Sequence, residues 1–327
     1  MSNQGRKCMR TICRTLLSGI IIAGFFMVHP LHAAEYPDRP IKVITMVKPG
    51  AQIDLLTRAF AEALKNELGQ PVLVSNNAGG SHGSVMASEL SSAKADGYTL
   101  GVGATAAYTY TPHYIKTNYK FDDFQFITLL GLNQSGIVAH PDRPWKTLKD
   151  ALDWAKKENK GLTYMFQGSD DRDVMTRIAE QEGVKLSFMP SQGGPSIISA
   201  VMGGHADLGH LGAILFEYVK AGKLKLLAAT TPERLTQISE VPSLREQGWD
   251  ESVEMFVVLV APKGMPADVQ TRLDKAVATL AENTKFRAFI TEDLTMGPVT
   301  FGKDEAVKCM SKANERFGAQ AAKMKKD

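Results

Sequence analysis

The stretch Val47–Asp54, VKPGAQID, joins a β-branched run, IKVIT, to LLTRAFAEALKNELG, whose apolar spacing is that of an amphipathic helix. Small residues between a strand and a helix leave backbone N–H groups within reach of a ligand. The unpaired amides of the first helical turn, with the positive end of the helix dipole, then make a carboxylate or phosphate site without any basic side chain. Turns of the same character recur as NAGGSHGS and GATA in the first half of the chain and as FQGSDDRD, SQGGPS and HLGA in the second. Taken singly, each is equally well explained as a tight connection of the kind any α/β fold needs.

Other chemistries fit less well. GVGATA, residues 101–106, satisfies G-x-G-x-x-A behind a strand, and Asp122 or Asp123 lies near the spacing of a ribose-binding acid. The segment that follows, AYTYTPHYIK, is aromatic and interrupted by Pro112 where a dinucleotide site requires a helix N-terminus. His205 and His210 are five apart without an H-E-x-x-H context, and SDDRD lacks the glycine and closing glutamate of a calcium loop. No G-x-S-x-G elbow occurs, and Cys309 has the context of a packed small residue. No catalytic residue, metal or cofactor is expected.

Strand-like and helix-like runs alternate as IKVITMV, a helix from about Ile53 to Leu68, PVLVSN, a helix from about Ser84 to Ala93, and GYTLGVG. That order is βαβαβ, a sheet with helices on its faces. In the first helix Leu55, Leu56, Ala59, Phe60, Ala63, Leu64 and Leu68 form the expected sheet-facing stripe, and Gly69 the stop. The middle of the chain repeats the plan, with LTYMF, a polar loop QGSDDRD and a helix VMTRIAEQEG. VLVSNNAGGSHGSVMASELSSAKADGYTLGVGA and KLSFMPSQGGPSIISAVMGGHADLGHLGA share one order: strand, Gly-Gly turn, helix, Asp96 or Asp207, strand, Gly-Ala turn. Two similar α/β domains are implied. FQFITLLGLNQSGIVAHP and VEMFVVLVAPKGMP are too apolar for surface loops and read as strands crossing between them, after which the last helices return to the first domain.

The N-terminus has a basic region, RKCMRTICR, an apolar run of about 13 residues and small residues before Glu35, the pattern of a secretory signal peptide spanning residues 1–34 and cleaved near Ala33 or Ala34. Neither of its cysteines has the small preceding residue of a lipid-attachment site. The leader holds Arg6, Lys7, Arg10 and Arg14 and no acid, so the remainder carries 38 − 4 = 34 basic against 35 acidic residues. A near-neutral chain gives no electrostatic reason to expect a nucleic-acid partner. Only Cys309 remains, so no internal disulfide can form. A soluble periplasmic chain of about 290 residues is expected.

YPDRPIKVI, PGAQIDLLTR, LGQPVLVSNNAGG, ADGYTLGVGATA, SQGGPSIISAVMGGHADL, AGKLKLLAAT, VPSLREQGW and APKGMPADV fall in the order and spacing of the Bug family, and the chain resembles that family over essentially its whole length after the leader. These are periplasmic solute-binding proteins of tripartite tricarboxylate transporters. The resemblance implies an α/β, two-domain periplasmic-binding-protein fold with two crossover strands and a ligand cleft between the domains. Domain 1 would comprise 35–133 and 256–327, and domain 2 134–255. The implied function is capture of a small carboxylated solute and delivery, as a monomer, to the large and small membrane subunits of the transporter. A sensor for a membrane signalling protein, or an exported enzyme acting on carboxylates, are the rival uses.

Carried over residue by residue, the family's first turn is similar to Lys48, Pro49, Gly50, Ala51 and Gln52, with Ala51 in place of the usual second glycine, and Asp54 is expected to cap the helix start. The second turn is similar to Gly79, Gly80, Ser81 and His82 and is one residue longer than usual; His82 is either a ligand contact or part of the rim. Ala104 and Thr105 follow the third strand. In domain 2 the family's Ser-Ser-Gly loop is replaced by Gln167, Gly168, Ser169, Asp170 and Asp171, and Gln192 and Gly193 belong to the P-Y-x-G-G-like turn. Unless Arg172 or Lys48 neutralises them, Asp170 and Asp171 would repel a second ligand carboxylate. A solute with one carboxylate and a neutral, amide or cationic far end is expected if these acids face the cleft.

Overall fold

The computed structural model describes residues 35–324, so the expected leader lies outside the described residues. In chain order the first part contains β1 (Ile41–Thr45), α1 (Gln52–Leu68), β2 (Val72–Asn76), α2 (Ser84–Ser91), β3 (Thr99–Ala104), α3 (Ala106–Thr109), α4 (Thr111–Tyr114) and β4 (Phe124–Leu132). The middle contains β5 (Gly136–Ala139), α5 (Leu148–Lys157), β6 (Leu162–Phe166), α6 (Ser169–Glu182), β7 (Leu186–Pro190), α7 (Gly194–Met202), β8 (Leu208–Leu211), α8 (Leu215–Lys220) and β9 (Lys225–Ala229). The last part contains β10 (Phe256–Pro262), α9 (Ala267–Glu282), α10 (Thr284–Ala288) and α11 (Lys303–Met324). Among the described residues no helix is long and apolar enough to cross a membrane.

The strands form two five-stranded sheets, ordered β2-β1-β3-β10-β4 and β7-β6-β8-β5-β9. In the first, β1 pairs parallel with β2 and β3, while β10 lies antiparallel between β3 and β4. In the second, β6 pairs parallel with β7 and β8, while β5 lies antiparallel between β8 and β9. The two βαβ segments that share one sequence plan, β2-α2-β3 and β7-α7-β8, therefore occupy the same places in their sheets. Each sheet is covered on both faces, which explains why its central strands read as continuous apolar runs. Helices α1 and α9 pack on one face of the first sheet and α2 and α11 on the other; α5 and α6 cover one face of the second and α7 and α8 the other.

The structure corrects several expectations. In α1 the buried positions are Ile53, Leu56, Phe60, Ala61, Leu64 and Leu68, whereas Leu55 is 41% exposed. The helix is wedged between the sheet and Leu273, Ala276 and Val277 of α9, and this second neighbour turns the buried face away from Leu55. β1 ends at Thr45, short of Met46 and Val47. SDDRD is not loop but the first turn of α6, and the last helical run is interrupted at Asn283, whose side chain caps α10 by accepting from Phe286 N–H. β10 lies wholly within the first sheet, so the second crossing is the extended segment just before it rather than one strand shared by both halves.

The crossings themselves are short and laced together. Asn133 N–H donates to Met255 O (2.9 Å), Val253 N–H to Thr230 O (2.7 Å) and Thr230 N–H to Ser135 O (2.9 Å). The buried Gln134 adds a side-chain link, its amide nitrogen donating to Thr236 Oγ1 and Thr295 O and its amide oxygen accepting from Thr236 N–H.

The YPDR start docks on the DGY element 60 residues later. Tyr36 Oη donates to Gly97 O (2.8 Å), Arg39 pairs with Asp96 (3.0 Å) and stacks over Tyr98, and Tyr98 Oη donates to Asp38. The second half repeats the device with Arg143 on Asp207, whose carboxylate also accepts from Thr163 N–H and Oγ1. Gly97 has φ +81, and a Cβ there would lie 2.4 Å from Val269 Cγ1 and 2.9 Å from Tyr36. Gly97→Ala should therefore lower unfolding free energy by about 2–4 kcal/mol, combining left-handed backbone strain with overpacking. Urea denaturation of the two proteins measures this.

Candidate functional site

A cavity of about 370 Å³, within the usual range for small-ligand pockets of roughly 300–1,000 Å³, lies between the two sheets against the crossings. Turns at strand ends form its walls, the position favoured for ligands in open α/β sheets. Gln52, His82 and Ala106 line it from the first half, and Gln167, Gly168, Asp170, Asp171, His210, Gly212 and Ala213 from the second. Asn133, Gln134, Ser135, Val253 and Met255 of the crossings form its floor.

At the first-half end, Gln52 opens α1, a helix of 17 residues whose first-turn amides have no intrahelical acceptors. Asp54, 1% exposed, holds this turn: it accepts from Gly50 N–H (2.8 Å), Arg58 Nε (3.0 Å) and Asn76 Nδ2 (2.7 Å). Burial pushes the Asp54 carboxyl up, but the bonds from Arg58, Asn76 and Gly50 outweigh it and leave the acid below its ordinary value. Gly50 has φ +83 and needs glycine, whereas Ala51 sits at φ −71, ψ 155, a conformation any residue adopts. The alanine that departs from the family's glycine is thus accommodated without strain.

At the second-half end, two adjacent acids have different surroundings. Asp171, 3% exposed, accepts from Gly168 N–H (2.6 Å), Gln167 N–H (3.1 Å) and Tyr164 Oη (3.0 Å), so its charge is absorbed by its own turn. Burial, then Asp171 itself, pushes the Tyr164 phenol well above its usual value, which keeps it a donor. Asp170 is half-buried, and the one protein group bonded to it among the described residues is Ser169 Oγ at 3.4 Å. Arg172 is turned away to Asp173 (3.1 Å), and neither it nor Lys48 lines the cavity.

The remaining expected contacts lie elsewhere. Lys48, Pro49, Gly50 and Ala51 are outside the lining, as are Gly79, Gly80, Ser81 and Ser169. His82, with φ 50, is exposed at the rim, bonded to Ser81 Oγ and edge-on to Tyr110. Ala104 is buried, and Thr105, whose N–H is taken by Phe256 O, lines a different cavity of about 230 Å³. In that cavity Arg177 pairs with Glu251 (2.6 Å) and Arg245 with Glu254 (3.5 Å). The Gln192 and Gly193 amides are engaged by Ser196 Oγ and Ser191 Oγ.

Conversely, sequence reasoning overlooked Asn133, Gln134, Ser135, Val253 and Met255, because the crossings look like strands and carry no turn signal. His210 was weighed only as a metal ligand beside His205. It is 5% exposed, its Nε2 meets Thr230 Oγ1 (3.1 Å), and its Nδ1 has no hydrogen-bond partner and lies 3.7 Å from Asp171. Its place as the first residue of the HLGA turn was the available clue. Among the described residues no group of three His, Cys, Asp or Glu side chains could hold a metal ion. The Cys309 thiol is pushed up to about 11 by burial, with Glu305 adding to the shift, and so stays protonated at neutral pH.

Two sheets of one design, joined by paired crossings and enclosing a cavity at their strand ends, are those of a two-domain periplasmic binding protein. Residues 56–324 match the model of the tripartite tricarboxylate transporter family receptor, and the chain belongs to that family, which includes the Bug proteins. It is 31% identical over 258 residues to "UPF0065 protein in gbd 5'region" of Cupriavidus necator, covering 78% of each chain. It is 26% identical to Protein BugT of Bordetella pertussis, covering 85% of this chain and 87% of that one. A ligand-free TctC solute-binding protein from Polaromonas superposes with TM-score 0.77 at 26% identity, covering 88% of this chain and 99% of its own.

Two outcomes follow for the first turn. Gly50→Ala should destabilise by about 1–2 kcal/mol through its positive φ, whereas Ala51→Gly should lose only about 0.4–1 kcal/mol, the entropy of a freer unfolded chain; chemical denaturation separates the two. Because the Asp54 acid is lowered in the folded state, its contribution to stability is present above the ordinary carboxylate range and is lost as pH falls through the folded value. Asp54→Asn should therefore flatten the acid side of the stability profile, followed by thermal melts from neutral pH down to about pH 3.

Proposed function

We propose that this protein is exported by the leader at residues 1–34, with cleavage near Ala33 or Ala34. It then captures a small carboxylated solute in the cavity between two lobes, 35–133 with 256–327 and 134–255. The monomeric receptor delivers that solute to the large and small membrane subunits of a tripartite transporter, and it catalyses no reaction. The observation that carries this reading is the position of the cavity: it is walled by turns from both sheets, with Gln52 of the α1 first turn at one end. The amides of that turn and the α1 dipole favour a carboxylate.

Two fold neighbours support the solute class: MatC from Rhodopseudomonas palustris was solved with malate (TM-score 0.65, 22% identity) and a second R. palustris protein with adipate (TM-score 0.69, 21% identity). Closure would be a hinge motion about 133–135 and 253–255, the two segments that connect the sheets.

The test is a thermal-shift screen of the chain from Glu35 onward against monocarboxylates, dicarboxylates, aromatic acids and amino acids. A true ligand at about a hundred times its dissociation constant should add roughly 2.7 kcal/mol of stability and be recovered unchanged after incubation. Shifts confined to sugars or to amines without a carboxylate would remove the carboxylate reading, and conversion of the ligand would make the protein an enzyme.

A further inference from the structure

The second-half end of the cavity is rich in hydrogen-bond acceptors. No Lys or Arg lines the cavity among the described residues. Asp170 has no ion-pair partner there, since Arg172, the nearest basic residue in sequence, is held by Asp173. Asn133 Oδ1 is buried without a partner, while Nδ2 of the same side chain donates to Met255 Sδ (3.2 Å). The opposite amide orientation would set two acceptors against each other, so the oxygen is the atom left open. His210 is nine-tenths buried, with Nδ1 unpartnered on the cavity wall. In the tautomer that donates from Nε2 to Thr230, Nδ1 presents a lone pair 3.7 Å from the Asp171 carboxylate, an acceptor facing an acceptor that a donor between them would relieve.

An acid in the first turn of a helix is ordinarily accounted for by the helix dipole, and Asp170 alone would carry nothing more. The dipole does not account for the two unpartnered buried atoms of the same cavity lining, Asn133 Oδ1 on the floor and His210 Nδ1 on the second-half wall. Buried polar atoms are normally paired, and a ligand that donates hydrogen bonds would supply what Asn133 Oδ1 and His210 Nδ1 lack. A ligand carboxylate at this end would instead meet Asp170 with no cation to offset it. Across the cleft, the Tyr114 phenol is raised mainly by burial, with Tyr110, Asp173 and Asp170 adding to it and the Arg172 guanidinium opposing it, so Asp170 and the Arg172–Asp173 pair all lie in electrostatic reach of the facing lobe.

We propose that this end of the cavity selects a cationic nitrogen, so that the solute is a zwitterion: its carboxylate meets the α1 amides and its ammonium group meets Asp170, Asn133 Oδ1 and His210 Nδ1. The proposal rests on the solute-binding reading above and narrows it from carboxylates in general to amino acids and their ω-amino analogues.

The experiment is calorimetric titration of the chain from Glu35 onward, freed of co-purified solute by unfolding and refolding. Compounds are matched except at the far end: pentanoate, glutarate and γ-aminobutyrate, with shorter and longer members of each series, and succinate against β-alanine. The ammonium-bearing member of at least one set should bind tenfold or more tighter than its partners, about the effect of one charge-assisted hydrogen bond. Asp170→Asn should remove that advantage, and Asp153→Asn, on the exposed face of α5 outside the cavity, should keep it; unliganded melts of both variants show whether they are folded. If Asp170→Asn does not fold, the wild-type ranking of the matched sets decides alone. Equal or tighter binding of dicarboxylates or simple monocarboxylates by the wild type, or an unchanged ranking in a folded Asp170→Asn, overturns the proposal and leaves the receptor reading intact. Failure of every carboxylate to bind overturns both.

Discussion

The architecture depends on an exchange of strands. β10 arrives from the second half of the chain and inserts between β3 and β4; β5 arrives from the first and inserts between β8 and β9. Both are interior strands buried on both faces, so neither sheet is complete without a segment delivered from the other side. That requirement brings the two crossings side by side, where backbone bonds among Asn133, Ser135, Thr230, Val253 and Met255 knit them together. The cavity floor is made of this knitted backbone, and its walls are the turns at the ends of the adjoining strands. A ligand between the walls touches both lobes and the linkage between them at once.

The walls share a second device. Asp54 in α1 and Asp171 in α6 each stand at the third helical position, each is buried, and each accepts from backbone amides of the turn that precedes its helix. A carboxylate reaching back in this way fixes the approach of strand to helix and satisfies amides that would otherwise need another acceptor. Both aspartates are therefore held by their own turns, and the groups they leave over are the first-turn amides beside Gln52 in one lobe and Asp170 in the other. Two consecutive acids on one cavity wall thus divide into one that is held by its turn and one that is left nearly without a partner.

Much of this was legible in the sequence. The alternating apolar runs, the doubled βαβ plan with Asp96 and Asp207 in matching places, and the apolar connections FQFITLLGLNQSGIVAHP and VEMFVVLVAPKGMP anticipate the two sheets and their crossings. What was hidden is tertiary. Leu55 belongs to the apolar period of α1, but the packing of α9 decides which face is buried. SDDRD looks like a solvated loop because five polar residues in succession have no apolar period, yet acids are favoured in a helical first turn and Asp171 finds its acceptor role only when Gln167 and Gly168 fold back on it. His210 and Asn133 carry no local motif; their place on the cavity wall follows from strand order and crossing position.

The strand order also governs when the molecule can become itself. β1, β2 and β3 with their helices form a local unit, but among the described residues the only strand beside β4 in its sheet is β10, more than a hundred residues further along the chain. A polypeptide emerging N-terminus first therefore carries β4, nine largely apolar residues, without its pairing partner until most of the sequence has been made. Long-range pairing of this kind slows folding and leaves apolar surface open to wrong partners in the interval. The same insertion that joins the two sheets makes assembly a nearly all-or-nothing event, completed only when the last quarter of the chain has arrived.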